Sequence, residues 1–389
     1  MGLLTVENVP LRTSLKVIYT AKTGKSADIS ADVAADLLSL SYTDKIDDTA
    51  DELSVEMQDA SGKWALAWDP ERGDTVAVTI STKDGRSIST GTMMIDRLNL
   101  AGRPRRYSIG AVNFPLDNTI RRTAKERTFE KTTLKAIGER IATDNGLEFS
   151  YTAEDDPEID RSDQQKESDL KYLTDLAKQS AISVKIFDNK LTMYDQKALE
   201  ASDPIKSFTE SGSSVLSWTF ETKQGERYKA VTVSYRDVVK KTRAAAAPAE
   251  SSGGSTDYVA QYYGKPSGKG TAKAEPKKGK TELSEEYIDY TYTDDSIDDS
   301  AQVFTCTQKV KSRSEAERVA KAKLRELNLH AVTGNVSIIG DPTISAGSVI
   351  TLSGFGSFDG RFLVETATHS VGGSGYTTEL QVRKCQEKY

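Results

Sequence analysis

From residue 37 the chain reads LLSLSYTD, then ELSVEMQDA, then DTVAVTIS, with apolar and polar side chains alternating almost one for one. Successive side chains of a strand point to opposite faces, so this period of two builds sheets with one buried and one wetted face. GTMMIDRLNL and RRYSIGAVN extend the series less regularly, and the runs break at ASGK, ERGD and KDGR. Short strands at that spacing, bounded by turn residues, predict antiparallel pairing in a small barrel or sandwich. The same texture returns at the far end of the chain in GNVSIIG, GSVITLSG, GRFLVETATHS and GYTTELQVRK.

The two β blocks share a detail. Gly91 stands as far before Tyr107 as Gly360 stands before Tyr376. In that register Met93, Met94, Ile95 and Asp96 align with Phe362, Leu363, Val364 and Glu365, and a glycine-led strand precedes each, GDTVAVTI and GSVITLSG. Two readings stand side by side: an internal duplication, or two unrelated hairpins that share the alternation every hairpin has.

Between the blocks the period changes. In KTTLKAIGERIATDNG, Leu134, Ile137, Ile141 and Ala142 fall on one helical face, with Thr132 or Thr133 to cap the start and Gly146 to close the end. Asp160 to Gln179 reads DRSDQQKESDLKYLTDLAKQ, a crowd of polar side chains followed by a stripe of Leu170, Leu173, Leu176 and Ala177. Ser168 sits where a hydroxyl accepts orphan N–H bonds, and Asp169 where the helix dipole favours negative charge. The polar run is expected to be an approach loop to a capped helix, not a site. AISVKIFDNKLTMYD then predicts a hairpin turning at Asp188-Asn189. Later, SVLSWTFETK, RYKAVTVSYRD, YIDYTYTD and AQVFTCTQKV read as strands, and SRSEAERVAKAKLRELNLHA as a helix with capping-box spacing at Ser312 and Glu315.

On the duplication reading, the expected fold class is α+β, mainly β: two related antiparallel β-barrel domains with inserted small α/β modules. Residues 1–116 form the first barrel and 117–200 a small α/β module. Residues 201–242 and 283–389 form the second barrel, with one inserted helix at about 312–329. The stretch 243–282, rich in Ala, Gly, Ser, Pro and Lys, holds too little apolar surface to offset ordering entropy and reads as a flexible basic insertion.

Chemistry has few footholds. The 389 residues carry a net charge of -6, which attracts neither nucleic acid nor anionic lipid. No run of about 18 apolar residues occurs, so no stable membrane insertion is expected. The N-terminus lacks a signal-peptide layout, and Val6 replaces the Ser or Thr of a myristoylation signal, so cytosolic synthesis is expected. Cys306 and Cys385 have no metal-type spacing and read as buried thiols, with a mutual disulfide as the other reading. His330 and His369, the only histidines, read as structural. The acidic runs AEDDPEID and TDDSIDDSAQ lack a calcium-loop pattern, and the glycine-rich SGFGSFDG leads into a strand and not the helix a phosphate cradle needs. Arg103, Arg105, Arg106, Arg121, Arg122, Lys125 and Arg127 form a basic stretch without the aromatic interleaving of a base-stacking surface. No catalytic, cofactor-binding or metal residues are expected, and no cofactor. Two other classes stay open, a tail-tip peptidoglycan hydrolase needing a paired acid and base, and a carbohydrate-binding module using Tyr258, Tyr262 and Tyr263.

The order of the parts is more specific than any one motif. A β domain, TTLKAIGERIATDNGLEF, DRSDQQKESDLKYLTDLAKQSAISVKIFDNKL, an interrupted β domain, a lysine-rich insertion and a closing GYTTELQVR together resemble the late control gene D family, the baseplate hub proteins of contractile phage tails. QQKESDLKYLTDLA is similar to that family's Gln-x-x-Glu-Ser-Asp run, and MMIDRLNLAGRPRRYSI to its N-terminal closing hairpin. The family is also similar to the N-terminal hub part of VgrG tip proteins of type VI secretion. The resemblance implies a non-enzymatic structural hub in the tail of a phage virion, a tailocin or another injection particle. It implies a homotrimer with two tube-like barrels per chain, a pseudo-sixfold ring adapting a threefold spike to a hexameric tail tube. Implied partners are a separate tail spike protein, since the chain stops at Tyr389, a tail tube or tube-initiator protein, other baseplate proteins and the tape measure.

Overall fold

The computed structural model describes residues 13–386 apart from 47–48, 69, 114–118, 224, 226, 243–280 and 298–300. The expected flexible insertion, with Tyr258, Tyr262 and Tyr263, lies outside the described residues but for its last two positions.

The first β block comprises β1 (Thr13–Thr20), β2 (Ser26–Asp28), α1 (Ser30–Asp36), β3 (Leu37–Lys45), β4 (Glu52–Gln58), β5 (Thr75–Thr82), β6 (Ser87–Ala101) and β7 (Arg106–Val112). The strands lie side by side in the order β3-β4-β7-β6-β5-β1-β2, all antiparallel. Alternation does what it predicts. In β5 the inward residues Val76, Val78 and Ile80 are buried while their neighbours are half-exposed. They meet Leu40, Leu53, Val55, Met57, Met93 and Ile95 in one core, capped by Trp64 from the turn at Lys63–Trp68. Each such side chain contributes about 1.5–3 kcal/mol by leaving water. The Trp64 ring nitrogen donates to Asp36 at 2.9 Å, so its polar edge is satisfied inside that core.

Next come α2 (Thr119–Arg122), β8 (Ala124–Thr133), α3 (Leu134–Asp144), β9 (Glu148–Tyr151), β10 (Glu158–Ser168), α4 (Asp169–Lys178), β11 (Ile182–Phe187), β12 (Lys190–Asp195) and α5 (Gln196–Ala201). Thr133 and Ser168 cap α3 and α4, their hydroxyls accepting from Ala136 N and Lys171 N. Asp188 and Asn189 both have positive φ, 46° and 61°, as the tight hairpin requires. One expectation fails: the polar run before α4 is not a loop but the strand β10, paired antiparallel with β8. A two-stranded ribbon wetted on much of both faces needs no apolar alternation, so its sequence looks like a loop. Leu134, Ile137, Ile141, Leu170, Leu173, Val184, Leu191 and Met193 form this unit's own core.

The remainder comprises β13 (Lys206–Thr209), β14 (Val215–Thr222), β15 (Tyr228–Thr242), β16 (Thr281–Thr293), β17 (Gln302–Val310), α6 (Arg313–Asn328), β18 (Val332–Ile339), β19 (Val349–Ser353), β20 (Gly360–Gly372) and β21 (Gly375–Lys384). β14, β18, β21, β20, β19 and β13 lie adjacent in that order around a second core of Phe208, Val336, Ile350, Phe362, Val364 and Leu380. Expected as barrel strands, β15, β16 and β17 instead form a separate three-stranded sheet covered by α6, with Val231, Val233, Val319, Ala320 and Leu324 between them. Alternation reports a half-buried strand but not which sheet it joins. Closure is not seen, which is compatible with the expected barrels: among the described residues, neither block closes on itself. Both belong to one 13-stranded sheet, joined where β20 pairs with β3 from Thr366↔Lys45 to Gly372↔Ser39.

Candidate assembly surface

The two blocks have one topology. In chain order β3, β4, β5, β6 and β7 correspond to β14, β18, β19, β20 and β21, and both sets lie in the same spatial order. Their irregularities coincide. The β6–β7 register shifts between Ile95 and Arg97, skipping Asp96; the β20–β21 register shifts between Val364 and Thr366, skipping Glu365. The β3–β4 register skips Leu38, and the β14–β18 register skips Leu216. Gly91 and Gly360 both hold positive φ, 65° and 133°. Bulges placed at matching positions are not shared by unrelated hairpins, so the hairpins beginning at Gly91 and Gly360 are two copies of one design; yet Leu100 pairs with Tyr107 and His369 with Thr378, so Tyr107 answers to Thr378 and not to Tyr376, and the equal Gly-to-Tyr spacing is incidental.

Following register across each sheet pairs Leu37 with Val215, Leu40 with Trp218 and Tyr42 with Phe220. Thus LLSLSYTD and VLSWTFET are also a repeat, one that reading the sequence missed. The signal was present: a shared Leu-Ser followed by bulky residues two apart. Unequal insertions displaced it from the spacing that aligned the later hairpins.

Copy one and copy two differ in what covers these positions. β20 runs beyond β19, and its second half lies against β3. There Leu40 and Tyr42 are 1% and 2% exposed, opposite Val371 and His369. Thr43 and Thr368 bring their hydroxyls within 3.2 Å. On β14, Trp218 is 44% exposed and Leu216 53%. β14 ends the 13-stranded sheet, and among the described residues no strand pairs with its outer edge. β6 likewise runs beyond β5. Its end, Arg97–Ala101, pairs with β7 on one side and with no described strand on the other, and Leu100 there is 52% exposed. An uncovered edge with apolar side chains beside it is a ready template for another strand.

Charged networks tie the surrounding parts together. Asp169, buried, accepts from Lys125 and Arg127 at 2.6 Å each, Asn145 at 2.9 Å and Gln164 at 3.0 Å. Burial alone would raise this carboxyl; the bonds from Lys125, Asn145 and Gln164 and the Arg127 charge outweigh it and hold it below the ordinary carboxylate range. Lys185 of β11 reaches Asp44 at 2.7 Å and Asp51 at 3.5 Å, tying the first module to the first β block. Burial pushes Asp51 up to about 6, with Lys185 acting against it and Asp44 with it. Buried Glu200 of α5 accepts from Arg325 of α6 at 2.6 Å, from Arg383 of β21, and from the Gln386 N–H at 2.9 Å. That single carboxylate joins both inserted modules to the second β block.

The singled-out residues fall mostly within this scaffolding. His369 is buried, its ring nitrogens 2.8 Å from the Tyr376 hydroxyl and 3.1 Å from the Ile344 carbonyl. His330 is exposed beside Glu365 at 3.6 Å. Cys306 and Cys385 are free and lie in different clusters, and burial pushes the Cys385 thiol up to about 11. SGFGSFDG is a hairpin loop with one short 3-10 turn. The basic stretch is split among separate acids: Arg105 to Asp59, Arg106 to Glu56, and Lys125 and Arg127 to Asp169. The first acidic run lines a cleft of about 790 Å³, where Asp160 meets Lys311 at 3.0 Å. In the second, Asp294 accepts from the Ser296 N–H and hydroxyl.

A duplicated β scaffold whose outer β14 edge and outer β6 end pair with no described strand is an arrangement suited to joining other chains. A family model described as phage tail baseplate hub (GPD) matches residues 52–375, and the chain belongs to that family. It is a structural baseplate hub of a phage tail. It is 27% identical over 374 residues to the probable baseplate hub protein of Escherichia phage P2, covering 94% of this chain and 93% of that one. The 43 kDa tail protein of prophage MuSo2 from Shewanella oneidensis shares the fold at a TM-score of 0.63 with 12% identity, covering 95% and 98%. An E. coli component of the type VI secretion system, described as structurally similar to bacteriophage tail proteins, does so at 0.52 with 12% identity, covering 91% and 75%.

Proposed function

We propose that the chain works as a homotrimeric ring, three chains supplying six similar β blocks, which adapts a threefold spike to a hexameric tail tube. The observation that carries this is the common strand order, with common bulges, of β3–β7 and of β14 with β18–β21. A chain bearing two copies of one unit can satisfy threefold symmetry at one face and near-sixfold symmetry at the other. In this reading 1–116 and the second block are the ring units, and the modules at 117–200 and around α6 pack outside them. The partners are a separate spike protein, the tube or its initiator, other baseplate proteins and the tape measure. The chain is made in the bacterial cytoplasm and acts as structure alone, without catalysis.

The test is mass and shape in solution. Light scattering gives three times the chain mass, in solution or on adding the spike, and electron micrographs show a ring with a central hole. A monomer that stays single with its spike present would sink the reading. Zymography on cell-wall material gives no clearing.

A further inference from the structure

The two inserted modules face each other across the cleft of about 790 Å³. One wall is β10 with the loop leading into it, and the other is the start of α6. We propose that this cleft is the docking site of a segment of the same chain, the lysine-rich stretch Lys265–Lys280. The inference stands apart from the ring, since it needs no junction between copies.

The chemistry of the cleft calls for cations. Six carboxylates line it against three basic side chains. Two of those three are already engaged: Lys311 reaches Asp160 at 3.0 Å, and Arg161 reaches Asp163 at 3.2 Å. Asp155 and Glu158 stand exposed, with no cationic partner among the described residues. β10 pairs with β8 along one edge only, and Ile159–Asp163 border the cleft. An unpaired strand edge offers backbone carbonyls, and a lysine ammonium carries donors alone. Leu134, Pro157, Ile159 and Leu176 add apolar surface on which lysine stems can lie.

The chain supplies such cations close by. KPSGKGTAKAEPKKGK, from Lys265 to Lys280, carries six lysines and one glutamate. It joins directly onto β16, which begins at Thr281. β15 and β16 run paired as far as Thr242 and Thr281. β17 leaves β15 at Tyr235↔Val310, and the next residue, Lys311, already lines the cleft. The β15–β16 ribbon therefore passes the cleft and runs on from Tyr235 to Thr242, about 23 Å at the rise of a strand. A linker as long as Lys265–Lys280 and rich in small and polar residues has a root-mean-square reach of about 20–24 Å. The segment can thus return to the cleft from its point of attachment, and the tether keeps its local concentration above that of a separate basic partner.

The test couples amines to carboxylates at zero length in the full chain with a carbodiimide, followed by mass spectrometry of the linked peptides. Links from Lys265–Lys280 are expected to concentrate on Asp155, Glu158 and Asp160. Their yield should fall roughly tenfold between about 50 mM and about 1 M salt, where the screening length drops to about 3 Å. The second readout is trypsin cleavage within Lys265–Lys280. At the lower salt, the triple variant Asp155→Asn, Glu158→Gln, Asp160→Asn is expected to be cut about tenfold faster than wild type. All three side chains are exposed, so the variant leaves the cores intact. Links spread evenly over the acidic surface, or equal cleavage of wild type and variant, overturn the proposal. Links found only between heavy- and light-labelled chains overturn it as well, because they place the segment on another copy.

Discussion

His369 shows how a residue that draws attention in a sequence can be structural. Burial lowers its pKa to about 4, against an ordinary 6.5, because the ring is enclosed beside Tyr42 and Tyr376. A group whose folded pKa is depressed this way stays neutral in the fold while the unfolded chain takes up a proton between pH 6.5 and 4. At pH 5 this costs the folded state about 2 kcal/mol relative to pH 7. Asp51, raised to about 6, works in the opposite direction over the same window, binding its proton first in the fold. The wild-type profile is therefore shallow, and a variant comparison is needed. Relative to wild type, His369→Gln should gain about 2 kcal/mol between pH 7 and pH 5, read from urea melts at equal protein concentration. Asp169 makes the contrasting case. Asp169→Asn leaves Lys125 and Arg127 facing a neutral group and should cost about 3 kcal/mol at pH 7. Its carboxyl is held below the ordinary range, so the wild-type advantage persists through mild acid and fades only as pH falls through that lowered value. A wild-type–variant gap already closed at pH 5 would contradict this account.

At the scale of elements, helices were easier to read than sheet membership. The stripe Leu170, Leu173, Ala177 and the Ser168 cap define α4 from local sequence alone, because caps and periodicity act within one turn. Ser168→Ala should cost about 1 kcal/mol in thermal or urea melts, a cap's usual worth. β10 was unreadable because its pairing with β8 is held by polar side chains such as Arg127 to Gln164 and Thr128 to Asp163, which a sequence scan sees as loop. Trp218 was in plain view within SVLSWTFETK, yet its exposure depends on which strand covers β14, and strand neighbours are set by contacts distant in sequence.

At the scale of the whole molecule, Glu200 is the point where three parts meet, α5, α6 and β21. Glu200→Gln leaves buried Arg325 without its carboxylate, while Arg383 keeps Glu365 at 2.9 Å, and should lower stability by about 3 kcal/mol. The expected signs are a lower melting temperature and earlier proteolysis at the segments joining the modules to the sheet. An unchanged melt would show that the modules are held by their apolar cores alone. The amino-acid sequence by itself determined the alternating strands, the capped helices and the baseplate hub resemblance, because alternation, caps and turns are local; it left the kinship of the hairpins at Gly91 and Gly360 open and hid β10. Only the tertiary structure decided that β15–β17 leave the main sheet and that, among the described residues, the blocks fuse through β20 and β3 without closing and β14 and the end of β6 stay uncovered. Which edge meets which is settled by long-range pairing, and the same period-two sequence serves equally well in the middle of a sheet, at its rim or between two chains.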